Sequence, residues 1–426
     1  MKKLAIVGTG ISGIAAAYYL RNEFDIEVFE REDYSGGHTS TIEVDEPGRA
    51  LPVDTGFIVY NEATYPNLVR LFDELGVETA PTVMNFGLWD RETGLEFGFR
   101  GLNALFGRRA NLVSPRFWGM IRDLFRFFKG AREDIAMLES RPELTLGDYL
   151  RERGFNEGFL YDFILPMASA IWSAPIKQML DFPARTFMVF FGNHGILGRK
   201  THLAWRYVKG GSQTYNRKIR EALYRPVRLG DPVRSVRRRA TGDVMLQTAS
   251  GEHRFDYVLL ASHADESLAM LEEPTARERE ILSKFRYQQN RVVLHTDPSV
   301  MPPRRRVWTA WNYKKIGSSS DPESIRTSTI YYMNHLQNLD TTEDYFVSVN
   351  DFDTIDPERI IRSFDYDHPI FDIEAVRAQA ELPQLNEDGP VFYSGAYHRY
   401  GFHEDGLMSA LAAAESLRKV NARVAV

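Results

Sequence analysis

Cysteine is absent from this sequence of 426 residues. Its absence excludes disulfides, thiolate metal ligands, a cysteine nucleophile and a thioether link to a cofactor. No uninterrupted apolar stretch approaches the roughly 20 residues that a membrane-spanning helix needs. Basic residues are outnumbered, 52 against 58 acidic ones, and the formal net charge is −6. This balance argues against a general nucleic-acid binder, which needs Lys and Arg to neutralise phosphates. We expect a cytoplasmic protein without a metal site.

The opening "MKKLAIVGTGISGIAAAYYL" predicts a buried strand over 4–7, a glycine turn and a helix over 11–20. Gly8, Gly10 and Gly13 have the G-x-G-x-x-G spacing of dinucleotide-binding turns. Gly8 allows the tight turn, Gly10 lets the backbone approach a pyrophosphate, and Gly13 lets helix and strand pack closely. The apolar opening is therefore interpreted as part of the fold and not as a secretory signal.

The predicted helix directs its first amides, including those of Ile11 and Ser12, towards the phosphates. A second strand, "IEVFE", ends in Glu30, seventeen residues after Gly13. That spacing is close to the expected distance for a carboxylate that binds a ribose hydroxyl. Arg31 beside it keeps a 2′-phosphate, and hence NADP, open. These residues predict a dinucleotide and leave NAD(P) and FAD as alternatives.

A further glycine segment follows. In "SGGHT", the pair Gly36–Gly37 allows close approach of backbone to the ligand, and His38 and Thr39 are predicted to donate to its phosphates.

The alternation of strands and helices disappears between 85 and 204 and returns afterwards. We therefore predict two discontinuous domains: 1–84, 205–270 and 385–426 bind the dinucleotide, and 85–204 and 271–384 bind the substrate.

The segment "RFWGMIRDLFRFFKGAR" has apolar residues at helical spacing, with basic residues distributed among them. One interpretation is a helix that faces the core and has a basic outer face. The other is a helix that rests on an anionic membrane or guides a lipid carboxylate. The sequence leaves both open.

Four anchors, "GTGISG" with Glu30, "SGGHT", "DTGF" and "FYSGAYHRYGFHEDGLMSA", span nearly the whole chain. With them the sequence resembles the FAD-dependent amine oxidoreductase superfamily, which includes monoamine oxidases, protoporphyrinogen oxidase and phytoene-desaturase-like enzymes. The resemblance implies an α/β fold with a Rossmann-like FAD-binding domain, a discontinuous mixed α+β substrate domain, and FAD bound non-covalently. It also implies which residues meet the cofactor: Gly56 and Phe57 along the isoalloxazine, Val233 at the adenine, and Gly395, Gly406 and Leu407 at the phosphates and the pyrimidine edge.

The sequence departs from that family at two positions. The stretch "QQNRVVLHT" lacks the lysine that amine oxidases hold near flavin N5, and Arg291 is the nearest candidate. His403 replaces a tyrosine three positions before the final glycine. Both departures count against an amine substrate.

The "GFHEDG" ending most resembles a bacterial subgroup of FAD-binding oxidoreductases associated with cyclopropane-fatty-acid-synthase-like methyltransferases. This resemblance implies a lipophilic substrate, an unsaturated or methylated fatty acyl chain that is desaturated or isomerised by hydride transfer to flavin N5. It further implies a lipid methyltransferase partner and peripheral contact with the inner face of the membrane.

We expect His403, Tyr397 and His398 to shape the pocket or move a proton, because histidine titrates near neutral pH. Two alternatives stay open. One is an amine or amino-acid oxidase with the same fold, and the other is a flavin-binding protein that serves a methyltransferase without catalysis of its own.

Overall fold

The computed structural model describes residues 1–195, 197, 203–317, 321, 324–353 and 355–424. Among these residues no helix is both long and apolar enough to cross a membrane. The strands are β1 (Lys3–Val7), β2 (Asp25–Phe29), β3 (Thr41–Glu46), β4 (Arg49–Asp54), β5 (Tyr60–Asn61), β6 (Thr79–Thr82), β7 (Phe86–Asp90), β8 (Glu96–Gly98), β9 (Trp205–Val208), β10 (Val233–Arg238), β11 (Val244–Thr248), β12 (Glu252–Phe255), β13 (Tyr257–Leu260), β14 (Arg286–His295), β15 (Trp311–Ile316), β16 (Arg326–Tyr332), β17 (Phe346–Val349), β18 (Ile360–Ile370) and β19 (Val391–Tyr393).

The helices are most closely spaced between residues 102 and 193. They are α1 (Ile11–Leu20), α2 (Pro66–Leu75), α3 (Leu102–Leu105), α4 (Pro115–Glu139), α5 (Leu146–Glu152), α6 (Glu157–Phe159), α7 (Leu165–Trp172), α8 (Ile176–Leu180), α9 (Ala184–Asn193), α10 (Gln213–Glu221), α11 (Ala264–Met270), α12 (Ala276–Leu282), α13 (Met333–Leu336), α14 (Ile373–Gln379) and α15 (His403–Val424). The predicted helix over 11–20 is confirmed, because α1 has those bounds.

A four-stranded parallel sheet in the order β19-β13-β1-β2 forms the centre of the first domain. Its central strands, β13 and β1 from Leu4 to Val7, are apolar and buried because both faces are covered, whereas the edge strand β2 carries Asp25 and Glu27. On one face α1, α2, α10 and α15 share a core with the sheet. On the other, the three-stranded sheet β10-β11-β12 and α12 contribute to a second core. The carboxyl ends of all four parallel strands therefore meet at one edge, where open α/β sheets bind their ligands.

The second domain is built on a seven-stranded sheet in the order β18-β14-β17-β16-β15-β7-β8. Helices α4, α5, α7 and α9 pack their apolar sides into one large aromatic core with β7, β8 and β15. The chain reaches this sheet twice, through β7–β8 and again through β14–β18, as the loss and return of the α/β pattern predicts.

Two segments assigned to the substrate domain pack elsewhere. Helix α12 and the residues after it contribute Ile281, Leu282 and Phe285 to the core behind the parallel sheet. Helix α14 and the turn Leu382–Asn386 add Ala375 and Leu382 to that same core. Both segments belong to the first domain because their apolar faces complete its core, so that domain extends beyond the predicted boundaries at 270 and 385.

Candidate active site

The glycine turn after β1 presents free donors to an open space. A Cβ placed on Gly13 would lie 2.0 Å from the carbonyl oxygen of Gly8, so Gly13 permits the close packing of strand and helix. A Cβ placed on Gly10 would meet nothing within 4 Å. Within the described residues, the amides of Gly10, Ile11 and Ser12 have no acceptor. Unpaired amides at a helix N-terminus beside open space form a site for an anion such as a pyrophosphate.

Glu30 follows β2 at the same edge of the sheet, and its carboxylate is buried. It accepts hydrogen bonds from the Thr9 amide at 3.0 Å, the Thr9 hydroxyl at 2.5 Å and the Glu32 amide at 3.1 Å. Arg31 points to protein carboxylates, with ion pairs to Glu32 and Glu266. The acid thus stands where a ribose hydroxyl is expected, and the charge of Arg31 is matched within the protein.

The "SGGHT" loop closes over the glycine turn. A Cβ on Gly37 would lie 3.4 Å from the Gly10 Cα, and the Gly36 amide donates to the Thr9 hydroxyl at 3.0 Å. Gly56 is required by this loop as well, because its Cβ would lie 2.1 Å from the carbonyl oxygen of His38. The Phe57 amide donates to that same carbonyl at 2.7 Å. The "DTGF" segment is therefore held directly against the predicted phosphate loop.

Four buried polar side-chain atoms near this edge have no hydrogen-bond partner among the described residues: His38 Nε2, Ser394 Oγ, the Tyr397 hydroxyl and His398 Nε2. An unsatisfied buried polar group costs about 1–3 kcal/mol, so a set of them indicates a ligand that is polar at several points. Together with the free amides of the glycine turn, they fit a dinucleotide with a polar ring system. The residues present therefore suit FAD.

His403 begins α15 and points into the first domain. Its ring stacks on Phe57 with centroids 3.8 Å apart, and its Nε2 lies 3.1 Å from the Thr39 hydroxyl and 3.2 Å from the Tyr215 hydroxyl. Thr39 and Tyr215 are also hydrogen bonded to each other. The Thr39 hydroxyl is thus engaged within the protein, which does not support its predicted donation to phosphate. Burial lowers the pKa of His403 to about 3.

Tyr397 and His398 lie apart from His403, on the short turn Ala396–His398 after β19. The Tyr397 ring packs against Phe285, with centroids 5.1 Å apart, and burial raises its pKa above the ordinary value. Burial lowers the pKa of His398 to about 4. The expectation that His398 and His403 titrate near neutral pH is wrong, because removal from water disfavours the charged imidazole.

Gly395 and Gly406, near the C-terminus, take part in hydrogen bonds and close packing within the protein. The Gly395 amide donates to Ser409 Oγ at 2.9 Å, and the Gly406 amide donates to the Phe402 carbonyl at 3.0 Å. A Cβ on Gly406 would lie 2.8 Å from Ile11 Cγ2 and 2.9 Å from Ser12 Oγ. Gly406 therefore brings the N-termini of α15 and α1 together, and its own amide is not free.

The remaining predicted cofactor residues lie around the same edge. Leu407 is fully buried in the core shared by α1 and α15. Val233 begins β10, just after a segment in which the Asp231 amide donates to the Glu30 carbonyl at 3.0 Å. Its pairing with adenine stays a prediction.

Sequence reasoning missed a polar group on the second domain. Arg291 is exposed, whereas its neighbour Asn290 is fully buried and donates from Nδ2 to His368 Nδ1 at 2.7 Å. The His368 ring lies 5.1 Å from that of His38, and Tyr366 lies 4.7 Å from His38. The alternation of Tyr366 and His368 along β18 was the available signal, but only strand pairing brings them to the "SGGHT" loop.

A group of rings, here called the aromatic seam, adjoins the start of α15; it comprises Trp172, Phe190, His194, Tyr400 and Phe402. Phe190 stacks on Phe402 at 5.1 Å and on His194 at 3.9 Å, and lies 4.8 Å from Trp172. Trp172 Nε1 donates to the Tyr400 carbonyl at 3.2 Å. His194 Nδ1 donates to the Phe190 carbonyl at 2.9 Å, and burial lowers its pKa, so the seam is uncharged at neutral pH.

The carboxylates next to the seam already accept hydrogen bonds from backbone amides. Glu404 accepts from the Asn67 amide and the Leu68 amide, each at 3.0 Å, and so caps α2. Asp405 accepts from the amides of Tyr400 at 3.2 Å and Phe402 at 3.0 Å, and burial raises its pKa to about 6. The seam is therefore apolar, with Trp172 and Phe190 buried, and its neighbouring carboxylates are engaged by backbone amides.

A cation stands at the edge of this surface. The Arg399 guanidinium lies 5.0 Å from the centroid of the Tyr400 ring and is exposed. It forms no ion pair within the part of the chain that the structure describes.

Fold and site together define a two-domain flavoprotein. The family model for flavin-containing amine oxidoreductases matches residues 11–344. The chain belongs to this family, and its cofactor is FAD.

Rat (Rattus norvegicus) prenylcysteine oxidase 1 is 28% identical over 194 residues, which cover 39% of this chain and 37% of the relative. The match thus spans little more than a third of that protein. A double mutant of putrescine oxidase has the same fold, with a TM-score of 0.72, 16% identity and 99% of each chain covered. A fatty acid isomerase from P. acnes that produces CLA has a TM-score of 0.68, with 15% identity and 98% of each chain covered.

Proposed function

We propose that this chain is an FAD-dependent oxidoreductase that acts on a C–H bond of a lipophilic substrate, an unsaturated or methylated fatty acyl chain. The aromatic seam is the observation that supports this assignment. Its uncharged rings lie beside the start of α15, and its nearest carboxylates are engaged by backbone amides.

An acyl chain and an amine make different demands on such a surface. Methylene groups gain roughly 0.8 kcal/mol each when they leave water for an apolar surface, which rings provide without polar partners. A short diamine instead needs acceptors for its amino groups. Among the described residues of the seam, polar side-chain atoms are limited to the Trp172 indole, the Tyr400 hydroxyl and His194, and Trp172 already donates to a carbonyl.

The similar proteins lend support to both classes. Prenylcysteine oxidase and the P. acnes isomerase are named for lipophilic substrates, and putrescine oxidase for an amine. The seam favours the first class.

FAD, when bound, supplies the capacity to take a hydride from an activated C–H bond and to return it. The residues of this chain have other tasks. The glycine turn and α1 hold the phosphates, the stacked rings exclude water, and Arg399 is available to bind an acyl carboxylate. Because His368 accepts from Asn290 through Nδ1, its neutral ring carries its proton on Nε2, where it can donate a hydrogen bond.

Anaerobic reduction of the purified holoprotein tests the proposal. Monounsaturated fatty acids, their phospholipid esters, putrescine and cyclohexylamine would each be added, with flavin absorbance recorded and lipid products analysed by mass spectrometry. We expect acyl substrates to bleach the flavin and gain a double bond, or to shift a double bond without net bleaching. Bleaching by an amine together with unchanged lipids would overturn the proposal.

The same experiment addresses a non-catalytic role. A holoprotein that changes no acyl substrate and no amine, but co-purifies with a lipid methyltransferase, would contradict the enzymatic assignment. It would favour a flavin-binding partner of that methyltransferase.

A further inference from the structure

The segment 101–132 differs in charge from the rest of the molecule. It contains seven basic residues and one acidic residue, in a chain whose net charge is −6. The single acid, Asp123, is fully buried, accepts from the Asn156 amide at 2.8 Å and pairs with Arg122 and Arg126. Arg108, Arg109, Lys129 and Arg132 have no carboxylate partner within the described residues. The segment therefore presents unneutralised positive charge.

Helix α4 places large rings among these charges. Its core side consists of residues such as Phe117, Leu124 and Phe127. Its outward stripe, spaced at three or four residues, is Trp118, Arg122, Phe125, Lys129 and Arg132, and all five are exposed. An outward stripe of a water-soluble helix is normally polar, so the two rings are unusual there. The core-facing side and the basic outer face of the predicted helix are thus confirmed, the rings on that outer face are an additional finding, and the membrane alternative stays open.

Further apolar side chains extend this surface. Val113 is 82% exposed, Phe125 67% and Trp118 47%, and Leu102 and Leu112 are exposed as well. Trp118 Nε1 donates to the Leu112 carbonyl at 2.9 Å, which joins the turn before α4 to the helix. Contiguous exposed apolar side chains rimmed by charge mark interaction surfaces in soluble proteins.

We propose that this surface, the outer face of α4 with the turn before it and α3, docks on an anionic lipid bilayer. Rings and aliphatic side chains would enter the interface, and the unpaired cations would meet lipid phosphates. Interfacial helices have this composition, with aromatic or aliphatic residues beside Lys and Arg. The occupant is an anionic bilayer because the surface combines exposed rings with cations that have no carboxylate partner among the described residues, so that lipid phosphates complement the charge while the acyl region covers the rings. This inference does not depend on the proposed function.

Vesicle co-sedimentation of the full-length holoprotein tests the inference. The vesicles would be phosphatidylcholine alone or an equimolar mixture with phosphatidylglycerol. We expect binding to the anionic vesicles that weakens as salt is raised. Each basic residue near an anionic surface contributes about fivefold to partitioning, so the pair Lys129→Gln and Arg132→Gln should weaken binding at least tenfold. The pair Val113→Ser and Phe125→Ser should weaken it comparably.

The matched control is Arg217→Gln with Tyr224→Ser, an exposed cation and an exposed ring on the first domain. This control should bind vesicles like the parent protein, and flavin absorbance should be unchanged in all variants, which verifies folding. Equal binding by all variants, or no binding by the parent protein, would overturn the inference. A change of molecular mass on size exclusion caused by the Val113 and Phe125 substitutions would overturn it too, because it would reveal a contact between protein copies.

Discussion

The cofactor edge of the parallel sheet and the aromatic seam meet at the start of α15, yet they are built in opposite ways. In the part of the chain that the structure describes, the cofactor edge leaves the amides of Gly10, Ile11 and Ser12 and several buried side-chain atoms without partners. The seam buries its rings against one another and leaves few polar atoms. The first is therefore suited to one ligand with fixed polar groups, and the second to a flexible apolar ligand.

This contrast has a physical cause. Unsatisfied donors cost free energy until a ligand with matching acceptors arrives, so such a site discriminates strongly among ligands. The free energy gained at an apolar surface depends on the area buried and little on where each group lies, so such a surface tolerates ligands of different chain length. The following changes test the contrast, starting with the largest expected effect.

Gly13→Val should abolish folding or cofactor binding altogether. Its Cβ would lie 2.0 Å from the Gly8 carbonyl oxygen, a backbone atom that cannot move without displacing β1 from α1. Gly10→Ala is the matched variant, because its Cβ would enter the open space and meet no protein atom within 4 Å. We expect it to fold and to lose FAD affinity by at least about tenfold, or 1.4 kcal/mol.

Circular dichroism reports folding of both glycine variants, and flavin fluorescence titration reports FAD affinity. Unchanged FAD affinity in the folded Gly10→Ala protein would show that the phosphates do not occupy this space.

Phe402→Ala should affect the seam alone. The ring stacks on Phe190 at 5.1 Å, and aromatic pairs contribute about 0.5–1.5 kcal/mol beyond their buried area. We expect kcat/KM for an acyl substrate to fall by roughly tenfold with FAD affinity unchanged, measured by steady-state kinetics and flavin titration. Loss of FAD from this variant would contradict the prediction that the seam and the cofactor edge act independently.

Arg399→Gln tests the cation at the edge of the seam. Since this guanidinium has no ion pair within the described residues, we expect it to bind the carboxylate of a free fatty acid. An exposed pair of this kind contributes up to about 1 kcal/mol, so KM should rise by roughly fivefold. The methyl ester of the same acid serves as the control, and an equal rise in its KM would refute a role in carboxylate binding.

His398→Gln should change how stability depends on pH. The pKa of His398 is lowered from 6.5 to about 4 in the folded protein. Below pH 6.5 the unfolded chain therefore binds a proton that the folded chain does not, and stability falls until about pH 4. The variant lacks this loss, which amounts to about 1 kcal/mol or less per pH unit. Thermal unfolding at constant ionic strength would measure the difference, and parallel curves for both proteins would contradict it.

Local patterns predicted much of the first domain. The strand, turn and helix of the opening segment have their expected places, because glycine spacing and apolar runs act through neighbours in the chain. The substrate domain was predicted only as a departure from the α/β pattern. Its seven-stranded sheet joins strands more than 200 residues apart, such as β7 and β15, and no local pattern encodes that pairing.

The residues of the site divide in the same way. Spacing alone was enough to propose Gly10 and Glu30 as cofactor residues. On β14, however, the sequence pointed to Arg291, whereas the structure places its neighbour Asn290 against His368. A side chain's direction along β14 depends on register with β18, which a single strand does not reveal.

By itself the sequence determined the family, the cofactor and the glycine turn that is predicted to face the phosphates, since these depend on short segments with fixed spacing. Only the tertiary structure decided that His403 stacks on Phe57 as a neutral ring, and that Phe402 joins Trp172 and Phe190 in the seam. Burial and ring contacts arise between segments that are distant in the chain, so they exist only once the two domains are packed together.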